Sequence, residues 1–220
     1  GGAHSRSRRR FAPMIDGYLR AKLHGPLDRG ARVLDVEPIT PDRLTAAGLV
    51  LGLGSAFAAG LQWWLLALVL WLISRLADGL DGALARRRAG ASSPTAGAGG
   101  FFDITADFTV YGATVVGVAI GAAAGYGAPW WPFLLVLLAY YINGTAFLAF
   151  SSIAERKGRR IDDGRSLSFL GGLAEGAETV AVHSLWLLLP GVSWQIAVVW
   201  AAVVAVSSVH RIVAGYRALS

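Results

Sequence analysis

Long apolar stretches, separated by short polar connections, make up most of this chain. A helix needs about 20 predominantly apolar residues to cross the hydrocarbon core of a bilayer. The stretches of suitable length predict transmembrane helices at residues 44–60, 61–84, 101–124, 130–153, 167–189 and 193–214. The hydrophobic pattern therefore predicts an all-α, polytopic membrane protein with six transmembrane helices.

The N-terminal region follows a different pattern. Apolar residues recur there at every fourth position among basic ones: Ile15, Leu19, Leu23 and Leu27. This spacing predicts an amphipathic helix on the membrane surface, held by apolar insertion and by attraction to anionic lipid, with a break at Gly25-Pro26. A basic tail that only sets the membrane topology explains the same composition. We divide the chain into a basic juxtamembrane arm, residues 1–43, and a membrane domain, residues 44–220.

The composition supports a membrane location. Of 220 residues, 55% are hydrophobic and 15% are charged, whereas soluble domains have about 25% charged residues. The chain has no cysteine, which excludes disulfides, thiolate catalysis and cysteine-ligated zinc sites. A net charge of +6 would suit nucleic acid, but the distribution of the charges indicates a different use.

Basic residues and tryptophans occupy opposite ends of the predicted helices. Most lysines and arginines fall in three segments: 6–43, 86–88 and 156–165. The intervening connections are uncharged and rich in tryptophan: 59–64, 125–132 and 190–195. Basic residues remain cytoplasmic and tryptophan prefers the headgroup zone. The sequence therefore predicts a multi-pass protein of the cytoplasmic (inner) membrane with both termini in the cytoplasm, surrounded by lipid and without a nucleic-acid partner.

Four aspartates lie where two predicted helices meet the cytoplasmic boundary. Asp78 and Asp81 are three residues apart, and Asp103 and Asp107 are four apart, so each pair shares one helix face. A lone Asp-Gly near a helix end is commonly a cap or turn. Two pairs on neighbouring membrane helices instead indicate a functional site, because intramembrane acids are costly. Oxygen ligands favour Mg²⁺, Mn²⁺ or Ca²⁺ over zinc.

The residues around the first pair suit a phosphate-bearing substrate. Gly79, Gly82 and Ala85 remove side-chain bulk, and Arg86 adds a cation one turn further on. A metal, an arginine and small residues together can stabilise phosphate charge during group transfer. The connection 87–100, rich in glycine and serine, joins the two acidic helices and could supply further backbone donors to phosphate.

The combined string Asp78-x2-Asp81-Gly82-x2-Ala85-Arg86 and Gly99-x3-Asp103-x3-Asp107 resembles the signature of the CDP-alcohol phosphatidyltransferase family of membrane enzymes. The resemblance extends over the six-helix plan, and it is strongest to a bacterial, phosphatidylglycerophosphate-synthase-like subgroup. The twelve residues between Arg86 and Gly99 are more than the family usually has. The extra length lies in the flexible connection, so the helical ligands are unaffected.

The resemblance implies a chemistry and a set of residue roles. A hydroxyl of an acceptor alcohol attacks a CDP-linked lipid such as CDP-diacylglycerol, and CMP leaves. Two ions, Mg²⁺ or Mn²⁺, would be held by the four aspartates, and Asp107 would also be the catalytic base. The CDP-lipid would contact residues at the start of the first span and in the motif: Pro41, Asp42, Arg43, Leu44, Gly82, Arg86 and Gly99. The family resemblance also implies a homodimer.

The acceptor alcohol is less clearly indicated. General similarity favours glycerol 3-phosphate, while inositol phosphate, phosphatidylglycerol or another alcohol remain alternatives. Arg165, Glu175 and Arg211 are candidate acceptor-binding residues. Glu175 with Glu178 could instead form ion pairs that hold helices together, with Arg165, Arg211 or Arg75. A divalent-cation transporter or channel is the alternative of another class, but such proteins tend to place charge near the bilayer midplane. A polyprenyl transferase is a third alternative, but its aspartate-rich motifs have a different spacing and it would not need the Ala85-Arg86 element.

Overall fold

The structure, a computed structural model, describes residues 25–88, 96–156 and 176–220. Its helices are α1 (25–33), α2 (Pro41–Gly60), α3 (Trp64–Arg88), α4 (Ala96–Tyr126), α5 (Trp131–Arg156), α6 (Gly176–Leu188) and α7 (Ser193–Leu219), with a 3₁₀ turn at Pro190–Val192. Every regular element within these ranges is helical, which confirms the predicted all-α class.

Four helices of the described part combine the length and the hydropathy needed to cross a membrane. They lie at Pro41–Gly60, Gly97–Tyr126, Trp131–Ala154 and Pro190–Leu219. The chain is therefore a multi-pass membrane protein. Helix α3 is long enough but more polar, because Arg75, Asp78 and Asp81 interrupt its apolar sequence. Helix α6 covers 13 residues of the span predicted at 167–189. The first part of that predicted span, residues 167–175, lies outside the described residues.

The helix boundaries follow local capping chemistry where the sequence offers it. Thr40 caps α2, since its Oγ1 accepts a hydrogen bond from the Arg43 backbone N–H at 3.2 Å, and Pro41 occupies the first helical position, where no backbone donor is needed. Helix α4 begins at Ala96, earlier than the predicted residue 101. The glycines before Phe101 thus form its first turn rather than a loop.

Small residues bring α2 against α3 and α4. A Cβ atom on Gly117 or Gly121 would overlap the carbonyl oxygens of Ala56 and Ala59, respectively. Ser74 of α3 donates a hydrogen bond of 2.7 Å to the Gly48 carbonyl of α2. Close backbone approach and side chain to backbone hydrogen bonds are the usual means of helix association in lipid.

The core of the bundle is rich in aromatic side chains. Trp71, Trp186 and His183 are completely buried. His183 stacks on Trp71 with ring centres 5.0 Å apart, and its Nε2 lies 2.9 Å from the Tyr140 hydroxyl. These contacts give His183 a role in packing and hydrogen bonding within the core.

The described end of the juxtamembrane arm is attached to the last turns of α3. Ala31 of α1 is buried against Ala83 and Leu84. Arg88 donates to Asp35 at 2.8 Å and to the Val36 and Ile39 carbonyl groups. The hydrogen bond from Arg88 holds the pKa of Asp35 below its usual value. The predicted amphipathic periodicity before residue 25 lies outside the described residues.

Candidate active site

The aspartates meet at the end of the bundle where α2 begins, α3 ends and α4 begins. Asp78 and Asp81 occupy successive turns of α3, and Asp103 lies in the first third of α4. One carboxylate oxygen from each of these three residues lies within 4.8 Å of the other two. The packing of α3 beside α4 thus brings acids from two helices into a single group, which we call the carboxylate triad.

The triad reaches α2 through a threonine. The Thr45 hydroxyl donates a hydrogen bond of 2.5 Å to Asp81 Oδ2, and Asp81 is only 3% exposed. Thr45 Oγ1 also lies 3.2 Å from the Pro41 carbonyl oxygen. Thr45 was not predicted as a site residue from the sequence, although a hydroxyl one turn after the helix start was an available signal. A hydrogen bond to a ligand carboxylate fixes its orientation.

Asp107, the predicted catalytic base, is a neighbour of the triad but not one of its three carboxylates. Its Oδ1 accepts a hydrogen bond of 2.6 Å from Arg75 Nη1. The same Arg75 nitrogen lies 3.8 Å from Asp78. Asp107 remains close enough to all three triad carboxylates to interact with them electrostatically. The fourth acid is therefore a neighbour of the triad that is held by an arginine.

Arg75 is the second site residue that sequence reasoning missed. It was considered only as a partner for Glu175 and Glu178. Its position three residues before Asp78 was the available signal, since that interval puts both side chains on one face of α3. The partner on α4, 32 residues away, could not be read from the spacing.

The residues predicted to contact the CDP-lipid lie around the same end of the bundle. A Cβ atom on Gly82 would lie 3.3 Å from Arg86 Nη1, so the arginine passes over this glycine. A Cβ atom on Gly99 would lie 3.3 Å from Asp42 Oδ1, so α4 starts beside the start of α2. Leu44 packs against the buried Ala83 and Leu84 cluster of α3.

Two further predicted contacts have surroundings of their own. The Arg43 guanidinium donates to the Pro38 carbonyl group, so it is engaged with the segment before α2. Pro41 forms the first residue of that helix.

The predicted acceptor-binding residues are only partly described. Arg165 and Glu175 lie outside the described residues. Arg211 is buried in α7, 6% exposed, and its guanidinium carbon lies 5.5 Å from the centre of the Phe147 ring. Its burial in an apolar helix distinguishes it from an arginine that extends to the membrane surface.

The triad fits a divalent cation of the hard type. All its donors are carboxylate oxygens, the ligands that Mg²⁺ and Mn²⁺ prefer. Three like charges this close repel one another unless a cation is present. The helices nevertheless hold them together, which is the arrangement that a cation site requires.

Comparisons with known proteins agree with this geometry. The CDP-alcohol phosphatidyltransferase family matches residues 38–208. Inner membrane protein YnjF of Escherichia coli (strain K12) is 36% identical over 211 residues, which cover 94% of this chain and 97% of that protein. Archaetidylinositol phosphate synthase of Pyrococcus horikoshii is 30% identical over 125 residues, 57% of this chain and 63% of that protein.

A solved structure shows the same fold. The crystal structure of Mycobacterium tuberculosis phosphatidylinositol phosphate synthase (PgsA1) with CDP-DAG bound matches with a TM-score of 0.59 and 23% sequence identity, covering 90% of this chain and 94% of that chain. The chain belongs to the CDP-alcohol phosphatidyltransferase family. The predicted class, a membrane transferase of phospholipid synthesis from a divalent-metal-dependent family, is thereby confirmed.

Proposed function

We propose that this protein transfers the phosphatidyl group, or a related phospho-alcohol group, of a CDP-linked lipid to the hydroxyl of an acceptor alcohol. The acceptor oxygen forms a bond to the β-phosphorus, the bond from that phosphorus to the anhydride oxygen breaks, and CMP leaves with that oxygen. The observation that supports this most directly is the carboxylate triad on the two helices that carry the family motif.

The four aspartates have different roles in this proposal. Asp78, Asp81 and Asp103 hold divalent cations, with Asp107 contributing to a second one, and Mg²⁺ or Mn²⁺ fits their oxygen donors. When bound, such cations neutralise charge on the diphosphate and lower the pKa of a hydroxyl. Asp107 accepts the proton that the acceptor hydroxyl loses. A carboxylate within about 3 Å of that hydroxyl can do so as general base.

The donor side of the site lies along Gly82, Arg86 and Gly99. Gly82 and Gly99 allow a nucleotide diphosphate to approach the helix backbones, since neither residue carries a Cβ atom. Arg86 is exposed and lies over Gly82, so its planar guanidinium can hold phosphate oxygens in a bidentate manner. The start of α2, from Pro41 to Leu44, forms the remaining wall in this proposal.

The acceptor is proposed as a phosphorylated polyol. Glycerol 3-phosphate is the acceptor first expected from the sequence. The names of two similar proteins, an archaetidylinositol phosphate synthase and a phosphatidylinositol phosphate synthase, make inositol phosphate the other acceptor of interest. Both carry a phosphate that a buried cation such as Arg211 could neutralise. Arg165 and Glu175 complete the proposed acceptor residues.

The membrane arrangement is part of the proposal. We propose six transmembrane helices in the inner membrane, with both termini and the site on the cytoplasmic side. The similarity to an inner membrane protein over nearly its whole length and the position of the basic segments support this arrangement. The family resemblance supports a homodimer, which the mass of the purified protein in detergent would test.

The function is tested by CMP release from CDP-diacylglycerol in the presence of Mg²⁺ or Mn²⁺ and each acceptor in turn. Glycerol 3-phosphate, inositol phosphate and phosphatidylglycerol form the panel. Asp107→Asn should bind CDP-diacylglycerol but lose transfer, because the amide cannot accept the proton. Asp78→Ala should weaken both CDP-diacylglycerol binding and transfer. Normal turnover by Asp107→Asn would refute its assignment as base, and cation flux in liposomes without CMP from any acceptor would favour a transporter.

A further inference from the structure

Arg75 is held in an unusually well-defined position for a charged residue of an apolar helix. Its side chain is 7% exposed. Its guanidinium carbon lies 5.2 Å from the centre of the Trp71 ring and 5.1 Å from that of Tyr111. Its Nη2 donates to Ser74 Oγ at 3.0 Å. Two aromatic rings and a hydroxyl thus fix the guanidinium in place.

Among the residues that the structure describes, the fixed guanidinium is the cation paired with two of the four aspartates. Arg75 Nη1 lies 2.6 Å from Asp107 Oδ1 and 3.8 Å from Asp78 Oδ1. Among the described ion pairs, Asp81 and Asp103 have no arginine partner. Arg75 therefore neutralises one side of the acidic cluster and leaves the other side to a diffusible cation.

This asymmetry bears on how the site would fill with metal. A divalent cation at the triad would meet two carboxylates without an arginine ion pair, Asp81 and Asp103, and one, Asp78, that lies 3.8 Å from Arg75 Nη1. A second cation that uses Asp107 would have to approach a fixed positive charge within a few ångströms, which is unfavourable in a partly buried site. It would also have to replace a short charge-assisted hydrogen bond.

We infer that Arg75 is a positioning residue that acts as a built-in cation: it holds Asp107 while the second metal position is empty and makes the second divalent ion bind much more weakly than the first. This inference rests on the proposed two-ion function. Arg75 offsets the charges of Asp78 and Asp107 without metal, and the second ion displaces it from Asp107.

The experiment is a Mn²⁺ titration of the purified protein in detergent, without any substrate, followed by the electron paramagnetic resonance signal of free Mn²⁺. Wild type should bind one ion tightly and a second at least about tenfold more weakly. Arg75→Met, which keeps the length and apolar stem but not the charge, should bind the second ion about tenfold or more tightly than wild type. In EDTA the variant should melt at a lower temperature than wild type, and Mn²⁺ should raise its melting temperature more.

Arg217→Gln is the matched control, because it removes a positive charge from an exposed position in the last turn of α7. Both Mn²⁺ affinities should equal those of wild type. Unchanged second-ion affinity in Arg75→Met would overturn the inference, as would equal affinities for both ions in wild type. A loss of structure alone would weaken both sites rather than tighten one.

Arg75→Gln covers the case in which Arg75→Met does not fold. Glutamine removes the charge but keeps a polar side chain with an N–H donor, so the second ion should again bind about tenfold more tightly than in wild type. Second-ion affinity equal to wild type in this variant would then overturn the inference. Absence of CMP release by wild type, with these metal affinities as expected, would refute the proposed transfer and leave the assignment of Arg75 intact.

Discussion

The substitution Thr45→Val tests whether the residues behind the aspartates determine metal affinity. Valine has nearly the shape of threonine but no hydroxyl, so the change removes the 2.5 Å hydrogen bond to Asp81 and leaves the packing of α2 largely unaltered. Asp81 is 3% exposed, so water cannot readily replace the lost donor. Asp81 would then be free to rotate away from the orientation that faces Asp78 and Asp103.

The size of the effect follows from the nature of the bond. Hydrogen bonds to charged groups contribute about 1.5–3 kcal/mol, and about 1.4 kcal/mol corresponds to a tenfold change in an equilibrium constant. Loss of a group that orients a metal ligand costs about 10–100-fold in metal affinity or activity. The Mg²⁺ concentration that gives half-maximal CMP release should therefore rise at least about tenfold in Thr45→Val, with much of the maximal rate recovered at saturating Mg²⁺.

Two variants control for side effects. Thr45→Ser retains the hydroxyl and should keep the wild-type Mg²⁺ dependence. Thr109→Val removes a hydroxyl that bonds only the carbonyl group one turn earlier on the exposed face of α4, so it should also behave as wild type. An unchanged Mg²⁺ requirement in Thr45→Val would refute the reasoning. A lower requirement would mean that Thr45 competes with the cation for Asp81 instead of orienting it.

Two further predictions concern stability. Gly117→Val should lower the melting temperature in detergent, since even a Cβ atom there overlaps the Ala56 carbonyl and overpacking costs about 1–3 kcal/mol or more. The control Gly112→Ala should not lower it, because no atom lies within 4 Å of the added Cβ. Equal losses of melting temperature in the two variants would contradict the packing of α2 on α4. The second prediction concerns Asp35, whose pKa is lowered chiefly by its hydrogen bond from Arg88. Its ionised form therefore stabilises the folded protein above the unfolded pKa of about 3.9. This contribution is lost as pH falls through the folded pKa. The melting temperature of Asp35→Asn should therefore lie below that of wild type near pH 7 and approach it below about pH 4, whereas a gap that is constant down to about pH 3 would show that the charge is not responsible.

Much of the site could be predicted from the sequence because its determinants are local. The intervals between Asp78 and Asp81 and between Asp103 and Asp107 determine that each pair shares a helix face. The start of α2 at Thr40 and Pro41 also has a local cause, since capping depends on a few neighbouring residues. The all-α membrane class needed only the length and spacing of the apolar stretches.

Other features of the helices depended on their neighbours. Gly112 and Gly117 cannot be distinguished from the sequence. Of these two residues, Gly117 alone lies against the backbone of another helix. The glycine-rich segment before Phe101 was expected to be a loop, but it forms the first turn of α4 next to Asp42. A glycine is useful there because a side chain would meet the Asp42 carboxylate, and this requirement arises only once α2 and α4 are packed together.

The sequence by itself determined that this protein is a helical membrane protein with two acidic pairs at the ends of adjacent helices. The tertiary structure decided which acids act together: Asp81 is joined to Thr45 of α2, and Asp107 is held by Arg75 of α3. These contacts join residues more than 30 positions apart. Spacing along one helix fixes the face on which a side chain lies, whereas its partner on another helix depends on the rotation and depth at which the two helices pack.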